Sequence, residues 1–195
     1  MKTSKETVNN TAEKLVWNNY KQKEIFQTHI FSIFEYASLS PKGTNSLFSV
    51  IKTTDWAIVI PVIEKKEGNS FVMVKQWRHG SESLSVEFPG GVIEKGEDPV
   101  DGAKRELREE TGYIAGKFEK IGILSPNPAI MSNNVHFFLA QDLKIDGDQR
   151  LDEDEFVEIE YVDQNLVMNS MGKPPFIHSL MASALFFYAQ RQKSE

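Results

Sequence analysis

The sequence predicts an α/β protein: a mixed sheet between helices, with a β extension at the N-terminus. Three observations carry this prediction. The continuous apolar run Trp56-Ala57-Ile58-Val59-Ile60-Pro61-Val62-Ile63 suits a strand covered on both faces. Two segments, Asp98–Gly112 and Ile177–Tyr188, place apolar residues at helical spacing. From Trp17 to about Lys52 the apolar residues fall instead into short groups broken by turn residues.

The elements follow in order. Met1 to about Ala12 is polar and rich in Asn, Thr and Lys, and is expected to fray. Ile25-Phe26, Ile30-Phe31, Ile33-Phe34 and Tyr36 precede a break at Ser40-Pro41-Lys42-Gly43, and Leu47-Phe48 and Val50-Ile51 follow it. These are hairpins or a short meander. They divide the chain into a tail with a β subdomain, residues 1–52, and a main domain, residues 53–195. After the 56–63 strand come a turn at Lys65–Ser70 and a strand Phe71–Val74 that runs into Lys75-Gln76-Trp77-Arg78-His79. A strand at Leu84–Phe88 is broken by Pro89-Gly90-Gly91. Beyond the central helix, strands are expected at Ile121–Leu124 and Val135–Ala140, with a Pro-rich loop between them, and Asp142–Glu155 reads as an acidic loop. In the next strand Val157, Ile159 and Tyr161 share one face, and Glu158 and Glu160 the other. Asp163 to about Met171 suits a short helix. The terminal stripe Ile177, Leu180, Met181, Ala184, Leu185 and Tyr188 is core or a dimer interface.

Composition narrows the function. A length of 195 residues suits one core with a small extension. A net charge of −6 disfavours nucleic acid and anionic membrane as partners. The chain has no cysteine, which removes a disulfide scaffold, a thiol nucleophile and a Cys-ligated zinc. No run has the length of a membrane helix, and residues 1–16 lack the apolar core of a signal peptide, so a cytoplasmic location is expected. Signatures of serine hydrolases, zincins and P-loop kinases are missing. An acidic protein that binds a phosphorylated substrate needs local positive charge, from metal and a few arginines.

The chemistry concentrates in Gly91–Tyr113, GVIEKGEDPVDGAKRELREETGY. Asp98 suits an N-cap, Pro99 the first turn and Gly112 the C-terminal cap. Val100, Ala103 and Leu107 make the buried stripe. Glu106 and Glu110 project from one face with Glu109 beside them, and Arg105 is spaced to pair with Glu109. Two carboxylates about 4 Å apart repel by roughly 4 kcal/mol at an effective dielectric of about 20. Mg²⁺ relieves that repulsion, because it is hard and takes carboxylate, carbonyl and water oxygens. Metals so held grip a phosphate and activate a water. A solvated face laced with ion pairs is the plainer reading of KRELREE alone; the spacing of the whole segment sets it aside.

That spacing fits G-x5-E-x7-R-E-U-x-E-E-x-G-U, with U apolar and Tyr113 aromatic where an aliphatic is usual. It resembles the Nudix box. The resemblance to Nudix hydrolases runs over roughly Trp56 to the C-terminus. Val74-Lys75-Gln76-Trp77-Arg78 looks like the Gln-aromatic-Arg strand end of the ADP-ribose pyrophosphatase branch, and Val86-Glu87-Phe88-Pro89-Gly90-Gly91 is similar to the segment that enters the box there. Pro128 falls where that branch keeps a proline, and Glu155-Phe156-Val157-Glu158 resembles the segment that supplies its catalytic glutamate. The resemblance implies an α/β/α sandwich. It also implies metal-dependent hydrolysis of ADP-ribose or a related nucleoside diphosphate sugar, with Mg²⁺ or Mn²⁺, by a homodimer formed through the N-terminal β region.

It further implies roles. Glu106 and Glu110 are the principal metal ligands, with the Gly90 carbonyl completing the shell and Glu97 a weaker ligand. Glu109 ligates metal or orients water, and Arg105 ties it down. Glu155 is the general base or orients the water, with Glu153 in reserve. Arg78 clamps the diphosphate bidentately, and Asn127 and the Val92 backbone touch ribose or phosphate. Trp17 is either core or interface, or a stacking surface for the substrate base. UDP-glucose or GDP-mannose is the alternative substrate, and a catalytically silent ligand sensor the alternative class. The four histidines lack ligand spacing: His29, His79, His136 and His178 are expected to pack or to lie on the surface, and His79 is the one best placed among them to face substrate.

Overall fold

A computed structural model describes residues 13–193, so the fraying expected of Met1–Ala12 lies outside the described residues. The chain divides into two compact units: residues up to Thr53 together with Asn127–Asn133, and Thr54–Pro126 with Asn134 onward.

In the first unit β1 (Asn18–Gln27), β2 (Ser32–Leu39) and β3 (Asn45–Lys52) form an antiparallel sheet in that order. It is the meander that the break at Ser40–Gly43 predicts. The Ser40 hydroxyl accepts the Thr44 N–H at 2.9 Å and closes the turn. Asn127–Asn133 belongs here because the Ile51 N–H donates to the Ile130 carbonyl at 2.7 Å and the Ser132 N–H donates to the Ile51 carbonyl at 3.1 Å. Every residue of β1 is exposed, Tyr20, Ile25 and Phe26 included.

The second unit contains β4 (Trp56–Ile63), β5 (Ser70–Arg78), β6 (Ser83–Glu87), β7 (Gly90–Val92), α1 (Pro99–Thr111), β8 (Tyr113–Leu124), β9 (Val135–Ile145), β10 (Val157–Asp163), α2 (Gln164–Ser170) and α3 (Ser179–Gln192). Its sheet runs β10-β5-β4-β9-β8, with β6 beside β5 and β7 beside β4. The sheet is mixed: β4 and β9 are parallel, and the other pairings are antiparallel. The unbroken apolar run of β4 is explained by its two covered faces. Ile58, Ile60 and Val62 pack with Met181, Ala184, Leu185 and Tyr188 of α3, whereas Ala57 and Val59 pack with Ala103 and Leu107 of α1. The terminal stripe is therefore core, except that Ile177 precedes α3 and is more than a third exposed.

One irregularity positions the site. β4 and β5 pair only at Val62–Phe71 and Ile63–Ser70. Beyond that point β5 pairs with β6 and β4 with β7. The Val59 N–H donates to the Pro89 carbonyl at 2.9 Å, so the Pro-Gly-Gly corner is held beside β4 in the plane of the sheet, where β7 pairs with it.

Two expectations need correction. β8 starts at Tyr113, directly after α1, rather than at Ile121. Its first part, YIAGKFEK, is largely exposed and lacks the apolar density of a buried strand. β9 extends to Ile145, so the acidic loop begins at Asp146 rather than Asp142. β10 keeps the expected alternation of faces without a register break; its buried residue is Val162, and the exposed Tyr161 hydroxyl meets that of Tyr113 at 3.1 Å. A long half-polar strand pair satisfies its backbone in the ladder without needing a buried face.

Candidate active site

α1 forms as its termini dictate. The Asp98 carboxylate accepts the Val100 N–H at 2.8 Å, and Gly112 closes the helix at φ 70°, with its N–H on the Arg108 carbonyl. The carbonyls left over at that end are taken by the acidic loop. Arg150 N–H donates to Glu109 O at 2.8 Å, Asp146 N–H to Gly112 O at 2.9 Å, and the Gln149 side-chain amide to Glu110 O at 2.6 Å. The loop that carries Glu155 is thus tied to the helix that carries the acid cluster.

Arg105 is the hub of that cluster. Its Nε and Nη2 donate to the two oxygens of Glu97 at 3.0 and 3.2 Å. Its Nη1 donates to Glu106 at 2.8 Å and to Glu109 at 3.0 Å, and Nη2 also donates to the Val92 carbonyl at 3.0 Å. Hydrogen bonding to Arg105 holds the Glu97 carboxyl below its ordinary range, and those acids, Glu97 first, hold the guanidinium charge firmly in place. Two glycines make room. A Cβ on Gly91 would lie 2.7 Å from the Glu106 carboxylate, and one on Gly102 would lie 2.8 Å from the Glu97 carboxylate.

Glu110 is buried and accepts the Gly90 N–H at 2.8 Å. Burial pushes its carboxyl up to about 8, against the Gly90 hydrogen bond, and the charges of Glu106 and Glu155 add to the rise. Glu106 is pushed up as well, by burial first, then by Glu109 and Glu155, with Arg105 opposing. Glu155 sits in an exposed loop turn, its backbone N–H on the Asp152 carbonyl and its carboxylate on the Asp152 N–H at 3.3 Å. Glu153 lies in the same exposed loop.

Among the described residues no three acidic or histidine side chains converge so as to hold a metal ion. The reason is local: Arg105 engages Glu97, Glu106 and Glu109, and Glu110 is turned to the Gly90 amide.

Arg78 ends β5 and makes a two-pronged pair with Glu87 on β6. Nε lies 2.9 Å from Oε1 and Nη2 lies 2.6 Å from Oε2. Glu87 is 1% exposed. Burial opposes its ionisation, but Arg78 overcomes this and holds the carboxyl below its ordinary range. The Arg78 charge also reaches Glu110. A cavity of about 470 Å³ opens beside the pair, lined in part by Arg78, His79, Glu87 and His178. Neither Glu87 nor His178 stood out in the sequence as a site residue. Glu87 had a signal, an acid in an apolar strand just before Pro89-Gly90-Gly91, but its partner lies on another strand. Trp17 and Asn127 lie in the first unit. Trp17 sets its ring edge-on to Phe48 at 5.1 Å, and the Asn127 carbonyl accepts the Ile130 and Met131 N–H groups.

With this geometry in place, the likeness to known proteins is specific. Residues 53–180 match the NUDIX domain, so the chain belongs to the Nudix family of hydrolases. It is 37% identical to the ADP-ribose pyrophosphatase of Bacillus subtilis over 139 residues, 71% of this chain and 74% of that one. It is 34% identical to the methanol dehydrogenase activator of Bacillus methanolicus over 140 residues, again 71% and 74% of the two chains. A crystal structure of an ADP compounds hydrolase superposes with a TM-score of 0.81 over 92% of this chain and 96% of that one, at 22% identity, which bears on the fold alone.

Proposed function

We propose that this protein is a divalent-cation-dependent diphosphatase that splits ADP-ribose into AMP and ribose 5-phosphate. The observation that carries the reading is the pair Glu106 and Glu110 on one face of α1, Glu110 buried and Glu106 half-buried, both reluctant to ionise, with Glu109 and Glu97 alongside. Such a pair is stabilised by an added cation, and its oxygens are the hard donors that Mg²⁺ and Mn²⁺ take. The open side of Gly91, where a Cβ would meet Glu106, leaves that carboxylate free to approach the Gly90–Gly91 backbone. Glu106, Glu110 and the Gly90 carbonyl, with Glu109 and Glu97, are the groups that would hold the cation. A bound divalent cation supplies neutralisation of the diphosphate and a lower pKa for a bound water.

The residues of the chain do the rest. Arg78, held at the end of β5 by Glu87 until substrate arrives, gives its Nε and Nη2 N–H groups over to a diphosphate oxygen. Arg105 fixes Glu109 and Glu97, so that the acids are positioned before substrate arrives. Glu155, or Glu153 in its place, takes a proton from the attacking water. The water oxygen bonds to one phosphorus, the bond from that phosphorus to the bridging oxygen breaks, and that oxygen leaves on the other phosphate. Trp17, Asn127 and the Val92 backbone are the proposed contacts to base, ribose and phosphate. The exposed apolar side chains of β1, Tyr20, Ile25 and Phe26, support a homodimer contact in the first unit. The name of the Bacillus subtilis relative favours ADP-ribose over UDP-glucose or GDP-mannose.

The test is a panel of ADP-ribose, UDP-glucose, GDP-mannose, NADH and diadenosine polyphosphates, each with Mg²⁺, with Mn²⁺ and with chelator. ADP-ribose should give AMP with the highest kcat/KM, only when a divalent cation is present, and Glu110→Gln should remove most turnover while the folded circular dichroism spectrum persists. Full activity in chelator, or near-normal kcat in Glu110→Gln, would contradict the reading.

A further inference from the structure

The Arg78–Glu87 pair poses a problem that its neighbour His178 can solve. Glu87 is buried and spends both oxygens on the guanidinium. A phosphate arriving at Arg78 competes with Glu87 for the same N–H groups. A buried carboxylate that loses part of its pairing is left uncompensated, which is strongly unfavourable. A second donor beside Glu87 removes that penalty.

His178 is that donor by geometry. Its Nδ1 accepts the Leu180 N–H at 3.1 Å, capping α3. The neutral ring must then carry its proton on Nε2. Nε2 faces Glu87 Oε2 at 3.9 Å, a little beyond hydrogen-bond range. Burial, opposed by Glu87 and helped by the Arg78 charge, lowers the ring's proton affinity and disfavours the charged form. The cavity lined by Arg78, His79, Ser81, Glu87, His178 and Ser179 has space for the small shift that closes the gap.

We propose that His178 is a positioning residue: it takes up Glu87 Oε2 when Arg78 turns toward a substrate phosphate, and so lets the arginine bind an anion without stranding its carboxylate partner. The proposal rests on the reading of Arg78 as the phosphate-binding arginine.

The decisive variant is His178→Asn, because asparagine is among the best N-caps and preserves the start of α3 while removing the Nε2 donor. With ADP-ribose and saturating Mg²⁺, KM should rise about tenfold, the worth of one hydrogen bond to a charged group. In the same assay kcat should stay within about twofold, as expected when only binding is weakened. In a Glu87→Leu background, where position 87 has no acceptor, His178→Asn should add nothing. An unchanged KM, or effects of the two variants that multiply, would overturn the proposal. A second measurement needs no turnover. In wild-type protein with ¹⁵N-labelled histidine, inorganic pyrophosphate should shift the His178 Nε2 resonance, and the shift should vanish in Glu87→Leu, which has no acceptor. A silent Nε2 in the wild type, or an undiminished shift in Glu87→Leu, would overturn it. If ADP-ribose is not hydrolysed at all, the substrate reading fails and the pyrophosphate titration still decides the role of His178.

Discussion

Glu110 is buried near Glu106 and Glu155 in charge, and it accepts the Gly90 N–H at 2.8 Å. Its carboxyl is raised from 4.5 to about 8, which fixes the sign of a pH effect. Below the lower value the group is protonated in both the folded and the unfolded chain. Between the two values the unfolded chain releases its proton and the folded chain keeps it, so stability falls as pH rises. Above the higher value the loss levels off. In chelator, wild type should therefore lose up to about 1.4 kcal/mol of stability per pH unit across this window relative to Glu110→Gln. Denaturant melts of both proteins from acid to alkaline pH check this, and parallel curves would refute it. The same residue scale separates what the sequence could tell from what it could not. Glu106, Glu109, Glu110 and Arg105 were legible because one helical period places them together. Glu87 and His178 were not, because their meeting joins the end of a strand to the N-cap of a helix 91 residues further along the chain.

Elements explain why two adjacent glycines differ. Gly90 lies in β7, where a Cβ would sit 2.1 Å from the Ala57 carbonyl oxygen of β4. Gly91 points its missing Cβ at Glu106 of α1, 2.7 Å away. Backbone cannot yield there, whereas a carboxylate can move. Gly90→Ala should cost about 1–3 kcal/mol of stability, as overpacked sites do. Gly91→Ala should keep a near-normal Tm and lose divalent-cation affinity and turnover, because Glu106 is displaced. Calorimetric melts and a Mn²⁺ titration of both variants distinguish the two, and equal loss of Tm would contradict the division. At this scale α1 was the most legible element, since Asp98, Pro99 and Gly112 mark its ends in sequence. The first half of β8 was invisible: its residues alternate too weakly to signal a strand, and it is the long pairing with β9 that holds it. The acidic loop is shorter than its composition suggests for the same reason: β9 runs on to Ile145 as the partner of β8.

For the whole molecule, the organising feature of the second unit is a sheet covered on both faces and split between β4 and β5. Covering explains the apolar run that identified β4. The split admits the Pro-Gly-Gly corner and brings the Gly90 amide to Glu110. Among the described residues no helix is long and apolar enough to cross a membrane. The mixed sheet between helices was legible from the order of apolar runs, and the split was not, because it depends on which strand each half of β5 prefers as partner. The proposed function asks one thing of this framework: that the acid face of α1 captures a divalent cation beside a diphosphate. Crystals grown with Mn²⁺ and a non-hydrolysable ADP-ribose analogue, measured at the manganese edge, test this directly. The account predicts an anomalous peak bound by Glu106 and Glu110, with the analogue's phosphates reaching Arg78. An ordered analogue with no anomalous peak at these carboxylates would contradict it.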